Sequence, residues 1–321
     1  PPLLSIGALP QKLPFHTLLE RQYGIAFTQA WPQQLADLMQ QRWNENLWRE
    51  PAAWLETTLG VMAGNRLRSL HLSSDQDGVH GIIAGGTGAG KSALLTALIA
   101  HMVVNYHPSM LNFVLVDYKG GGTFKAFEKL PHCVDMVTNL NKSAVRRMFT
   151  AIRAEMERRQ QINTAMAVQD IVQYRQKGLH HQRPYPHLLI IIDEYAQMIA
   201  DSPDFQHELD LITQQGRALG VQLILASQKP VGVTDQMRAN ISLRICLRVE
   251  GADTSRELLR RSDAAYLPRI GGRGYLQVGN DEIALMQVAY VGDSTPVSQQ
   301  GSGAQATFLE MIVHQSQQLT G

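Results

Sequence analysis

The sequence predicts an α/β protein: a mostly parallel central sheet covered by helices on both faces, with a β-hairpin near its C-terminal end. Three observations carry this. Apolar strand-like runs alternate with helical stretches from about residue 56 to residue 292, which is the pattern of strand–helix–strand units. A glycine-rich octapeptide at 85–92 sits between an apolar strand and an apolar helix. A third stretch, 188–193, is aliphatic until it closes on an acid.

The elements follow in order. Residues 1–53 are rich in Pro, Gln, Trp and Arg and read as an N-terminal linker with one or two short helices, one of them at 31–48. Trp43, Trp48 and Trp54 are expected to pack this segment onto the main domain as ordinary core. The main domain is placed at 54–293. Its strands are read at 80–84, 112–117, 188–193, 222–227 and 241–249. The first four each end at a polar or glycine-rich turn, and ligands of open α/β sheets bind at such carboxyl ends. A helix is expected at 143–161, where Val145, Met148, Phe149, Ile152 and Met156 recur at helical spacing. Asn141 or Ser143 would cap it. Strands at 274–278 and 283–291 flank 279–282 and read as the hairpin. Residues 294–321 form a second linker, 294–305, and a short apolar helix, 308–313. That helix either docks on this domain or leads into another.

With 321 residues, 44% of them hydrophobic, the chain is long enough to bury a large core. Its net charge of +1 offers no bulk attraction for nucleic acid or an anionic membrane. That weakens a DNA-binding reading without removing it, since local patches are averaged out. Cys133 and Cys246 lack metal-ligand spacing and read as buried free thiols of a reducing compartment. The longest aliphatic run, 188–192, is far short of the ~20 residues of a membrane helix. With no secretory signal at Pro1-Pro2-Leu3, the chain reads as a soluble piece excised from a larger protein.

The octapeptide is Gly85, Gly86, Thr87, Gly88, Ala89, Gly90, Lys91 and Ser92, a complete phosphate-binding loop in the strand–loop–helix context it requires. Glycines let backbone N–H groups curl around phosphate oxygens, and the helix start adds its positive dipole end. Lys91 is expected to reach the β- and γ-phosphates of ATP, and Ser92 to ligate Mg²⁺. About a hundred residues on, Asp193 would hold the magnesium shell. Glu194 would orient and deprotonate the attacking water. The neighbouring strand is expected to bring this acid pair opposite Lys91. Together these features predict a P-loop ATPase.

Other residues are less decided by the sequence. Gln228, after Ala226-Ser227, is either a γ-phosphate sensor or part of a turn capped by the serine. Lys119, in Asp117-Tyr118-Lys119-Gly120-Gly121-Gly122, lies either at the same rim of the sheet or in a solvated loop. Arginines that reach the γ-phosphate from a neighbouring subunit have candidates in Arg153, Arg158, Arg217 and Arg256. Each is equally readable as a solvated helix residue paired with an acid. His180, His181 and His187 match no zinc spacing, and Pro184 and Pro186 break any helix that would align them.

The set 85–92, Phe-Val-Leu-Val-Asp-Tyr-Lys-Gly-Gly-Gly-Thr-Phe (113–124), Leu-Leu-Ile-Ile-Ile-Asp-Glu (188–194), Gly-Arg-Ala-Leu-Gly-Val-Gln-Leu-Ile-Leu-Ala-Ser-Gln-Lys-Pro (216–230) and Asn-Ile-Ser-Leu-Arg-Ile (240–245) resembles the FtsK/SpoIIIE family of ring motor ATPases. Leu130-Pro131-His132, Val137-Thr138-Asn139-Leu140 and Glu155-Met156-Glu157-Arg158-Arg159-Gln160 resemble the first ATPase domain of the EccC/EssC proteins of type VII secretion. So does Tyr266-Leu267-Pro268 followed by Gly272-Arg273-Gly274-Tyr275-Leu276. The resemblance covers about 54–292. It implies a RecA-like motor fold that uses ATP and Mg²⁺. It implies a cytoplasmic domain of a membrane-anchored chain with further ATPase modules, assembling as a hexameric ring. It also implies export of small helical-hairpin proteins of the WXG type. Two alternatives stay open: a DNA translocase of the same superfamily, and a nucleotide-binding assembly module without turnover of its own.

Overall fold

Strands that are apolar on both faces must be covered twice, and a parallel sheet flanked by helices meets that demand. The computed structural model describes residues 9–49, 55–138, 142–281, 283–292 and 306–321. The chain opens with α1 (Phe15–Tyr23) and α2 (Trp31–Trp48), then β1 (Glu56–Met62) and β2 (Arg66–His71). The strand–helix alternation begins with β3 (His80–Ala84), α3 (Lys91–Asn105), β4 (Leu111–Asp117), β5 (Cys133–Val137), α4 (Lys142–Ala165) and α5 (Ile171–Gln176). It continues through β6 (His187–Asp193), α6 (Tyr195–Asp201), α7 (Asp204–Leu219), β7 (Val221–Ser227), α8 (Asp235–Asn240), β8 (Ile241–Leu247) and α9 (Ala252–Leu259). The hairpin β9 (Arg273–Val278) and β10 (Ala284–Val288), then α10 (Phe308–Thr320), complete it.

All ten strands form one sheet in the order β2-β1-β10-β9-β8-β3-β7-β6-β4-β5. The six from β8 to β5 are parallel. The other four are antiparallel and extend the sheet beyond β8. β3, β6 and β7 are buried at every residue, as strands covered on both sides must be.

Three strands escape the sequence reading. β1 and β2 form a hairpin turned at Ala63-Gly64-Asn65, where Gly64 (φ 74°) and Asn65 (φ 59°) take the left-handed conformation that tight hairpin turns favour. β1 is buried on both faces, so it lacks the two-residue alternation that would mark a strand. β5 is a short edge strand with Val134 and Asp135 exposed. A charge on an edge discourages further pairing.

In the N-terminal segment α1 and α2 pack into the main core. Phe15, Leu18, Leu19, Leu35 and Met39 are fully buried. Trp43 is buried too, and its indole N–H donates to the Val103 carbonyl at 2.8 Å. Trp48 departs from expectation. It is 70% exposed and stacks on His181 at 4.4 Å. Cys246 is buried as expected, but Cys133 is only half-buried. Trp54, Asn141 and the stretch 294–305 lie outside the described residues.

The C-terminal helix docks on this domain and runs on past residue 313 to Thr320, about two further turns. Thr307 and Glu310 form a reciprocal capping box at its start. Phe308 then enters an aromatic cluster, 5.3 Å from Trp31, 5.6 Å from Phe27 and 6.2 Å from Phe15. Gln317 reaches across to the Lys129 carbonyl at 2.9 Å. Phe308→Ala is therefore expected to cost about 3–5 kcal/mol, read as a lowered denaturation midpoint. An unchanged midpoint would mean that α10 contributes nothing to the fold.

Candidate active site

Six parallel strands present their C-terminal ends along one edge of the sheet, and register levels those ends. Ala84 pairs with Ser227, Ala226 with Asp193, and Asp193 with Asp117. β7 lies between β3 and β6. The acid pair thus comes from the next strand but one, not from the neighbouring strand. At about 4.8 Å per strand, some 10 Å separates the strand that feeds the glycine loop from the strand that feeds the acids. That gap is bridged by a long side chain.

The glycine loop is held by its flanks. Gly85 donates to the Ser227 carbonyl (3.2 Å), Gly86 to the Arg248 carbonyl (2.8 Å) and Ala89 to Gly86 (3.0 Å). Gly88 (φ 75°) and Gly90 (φ 99°) are left-handed. Gly272 donates to the Ala89 carbonyl at 2.8 Å. That approach is so close that a Cβ on Gly90 would run into the Gly272 nitrogen. The backbone N–H groups of Gly88, Gly90, Lys91 and Ser92 have no acceptor among the described residues. Such a row of donors at the start of a 15-residue helix is an anion cradle.

Lys91 begins α3 and is buried. Its ammonium bonds the Asp193 carboxylate, and lies 2.6 Å from Glu194 Oε1. Glu194 leaves β6 through a left-handed turn (φ 61°), an unusual conformation for a residue with a side chain. Its second oxygen, Oε2, lies 3.2 Å from Lys119 Nζ. Burial pushes the Glu194 carboxyl up, but hydrogen bonds and attraction from Lys91, joined by Lys119, hold it below its ordinary value. At Asp193 burial is the largest influence, and repulsion from Glu194 and Asp117 adds to it. That carboxyl stays above its ordinary value despite Lys91.

Ser92 Oγ lies 3.3 Å from Thr123 Oγ1, which in turn donates to Asp193 Oδ2 at 3.3 Å. An all-oxygen run of two hydroxyls and a carboxylate suits a hard divalent cation such as Mg²⁺. Asp117 braces this wall. Its carboxylate accepts from the Gly121 and Thr123 backbone N–H groups at 3.2 and 3.0 Å. The sequence reading gives no role to Thr123 or Asp117. Asp117 closes β4 and Thr123 lies in the loop after it, and their contacts depend on how that loop folds back.

The remaining residues scatter. Gln228 is exposed and lines a cavity of about 480 Å³ with Gly86, Thr87 and Thr254. Arg256 is on α9 beside that cavity and pairs with Asp253 at 2.8 Å. Arg153 pairs with Glu208 in a groove between α4 and α7. Arg158 pairs with Glu155 at 2.6 Å. Arg217 lies in the last turn of α7, just before β7 starts, so it sits at the opposite edge of the sheet from the glycine loop. Arg248 and Arg269, which the sequence did not single out, line a cavity of about 300 Å³ with residues of the glycine loop.

Residues 38–232 match the model of the FtsK/SpoIIIE family. The chain is 40% identical over 256 residues to the type VII secretion system protein EssC of Staphylococcus aureus, covering 78% of this chain and 17% of that one. It is 39% identical over 244 residues to the ESX secretion system protein EccC of Geobacillus thermodenitrificans, covering 74% of this chain and 16% of that one. It therefore spans about a sixth of the length of these relatives. Among solved structures it is similar to the cytoplasmic domain of the Thermomonospora curvata type VII secretion ATPase EccC. That match has a TM-score of 0.74 and 33% identity, and covers 84% of this chain and 33% of that one.

The geometry separates two glycines of the loop. Gly88→Ala meets open space and carries only the left-handed backbone penalty, about 1 kcal/mol. Gly90→Ala adds a collision with Gly272 and is expected to cost about 1–3 kcal/mol more. Urea titration of both variants checks the order; equal losses would mean that the Gly272 contact does not constrain the loop.

Proposed function

From the premise that this chain belongs to the FtsK/SpoIIIE family, we propose that it is an ATP-hydrolysing motor domain of a type VII secretion ATPase. The observation that carries the reading is the meeting of Lys91 with Asp193 and Glu194 across the interposed strand β7. Within the loop 85–92 the N–H groups of Gly88, Gly90, Lys91 and Ser92 receive the phosphate oxygens, and the Lys91 ammonium turns from the acids to the β- and γ-phosphates. Ser92 and Asp193 hold Mg²⁺, with Thr123 beside them. When bound, that ion neutralises charge on the phosphates. Glu194 orients a water and takes its proton. As that water attacks the γ-phosphorus, the bond to the β–γ bridging oxygen breaks, leaving ADP and phosphate. Gln228, at the rim beside Gly86, senses the γ-phosphate.

The domain works as one module of a longer membrane-anchored chain, on the cytoplasmic side, in a hexameric ring. An arginine of a neighbouring copy, drawn from Arg153, Arg158, Arg217 and Arg256, completes the site. The exported cargo is small helical proteins of the WXG type. The length relation to EssC and the similarity to a cytoplasmic EccC domain support this placement.

Lys91→Ala removes the cation that faces the phosphates and is expected to abolish ATP binding in isothermal titration; retained tight binding would reassign the loop. Glu194→Gln is expected to keep ATP bound while slowing hydrolysis roughly a hundred- to ten-thousand-fold, followed as single-turnover phosphate release. Undiminished turnover would remove Glu194 from the chemistry. Duplex DNA is expected to leave the ATPase rate unchanged. A strong stimulation that falls steeply with salt would favour the translocase reading instead.

A further inference from the structure

The loop between β4 and β5 touches Glu194 through Lys119. Tyr118 is fully buried; its hydroxyl donates to Asp201 at 2.9 Å and its backbone N–H to the Asp193 carbonyl at 3.3 Å. Phe124 is fully buried as well. Between these two anchors, residues 119–122 are exposed and Thr123 is half-buried. Gly120 (φ 64°) and Gly122 (φ 76°) give the span left-handed joints. The Lys119 side chain is 47% exposed, yet its ammonium lies 3.2 Å from Glu194 Oε2, on a side chain only 8% exposed. Glu194 therefore has its two oxygens engaged by two different lysines, Lys91 on Oε1 and Lys119 on Oε2.

The two lysines differ in what an incoming nucleotide does to them. Lys91 lies at the cradle and turns to phosphate, so its hold on Glu194 ends when ATP binds. Lys119 lies outside residues 85–92, on a glycine-jointed loop. A carboxylate held by an ammonium has one lone-pair direction fewer for a water and is a weaker base. We propose that Lys119 is a positioning residue, a latch that keeps Glu194 in its resting rotamer after Lys91 has left and must swing out before a water is activated. The inference rests on the nucleotide-site reading above and adds a brake to it. The physical event that opens the latch is a change of the 119–123 loop, which is reachable from solvent and therefore from a neighbouring copy or cargo.

The test uses the whole chain. Lys119→Met is expected to raise the turnover number several-fold, with the Kd for ATP and Mg²⁺ within twofold of wild type. Lys119→Arg, which keeps a donor, is expected to restore the wild-type rate. A readout without nucleotide accompanies these. In the apo chain Lys119→Met is expected to lower the melting temperature, and to lower it less in a Glu194→Ala background, because the partner is already gone. Turnover equal to or below wild type in Lys119→Met, with Kd intact, overturns the latch. So does an apo melting shift that is the same in both backgrounds. Failure of wild type itself to bind ATP overturns the nucleotide-site reading beneath it, which the intact Kd of the first case rules out.

Discussion

One buried ammonium facing two buried carboxylates sets the terms for this molecule. Taking ions out of water costs several kcal/mol each, and the cost is recovered only if partners stay in register. Lys91 comes from the first residue of α3, Asp193 from the last of β6, and Glu194 from the turn beyond it. Their meeting requires that β3, β7 and β6 end at the same level and that β7 be interposed. It also requires that Glu194 accept a left-handed backbone. The aliphatic strands, buried along their whole length, provide the rigid edge on which that register depends.

On the proposed reading, the same cluster accounts for a cation and an anion binding together. Within this cluster three carboxylates, Asp117, Asp193 and Glu194, face two ammonium groups, Lys91 and Lys119, so the cluster itself carries excess negative charge. A triphosphate arriving alone would meet that charge. A divalent cation held by the oxygens of Ser92, Thr123 and Asp193 would reverse that balance and free Lys91 to face phosphate. On the proposed reading, nucleotide binding is an exchange of partners by one lysine, not the filling of a passive cleft.

The terminal helices protect this arrangement from a distance. α1, α2 and α10 join around Phe308 and pack with α3, the helix that carries the cradle at its start. Arg273 adds a tie at the other side. It is buried in β9 and donates to Gln287 at 2.9 Å and to the Pro10 carbonyl at 2.8 Å, linking the hairpin to the N-terminal segment. Gly272, its neighbour, presses on the glycine loop. The antiparallel half of the sheet is therefore a support for the loop as well as an extension of the core.

Much of this was legible in the residues alone. The octapeptide 85–92, the aliphatic strand closing on Asp193 and Glu194, and the strand–helix alternation predict the fold class and the acids. Local physics carries them: a glycine loop needs its flanks, and a doubly covered strand needs an apolar run. What stayed hidden depends on contacts between segments far apart in the chain. β1 has no alternation because both its faces are buried. Trp48 reads like Trp43 in sequence, yet one faces solvent and the other the Val103 carbonyl. The interposition of β7, the reach of Lys119 to Glu194 and the bracing by Asp117 and Thr123 follow from strand order and loop path. Neither is encoded in any single stretch, so only the assembled sheet decides them.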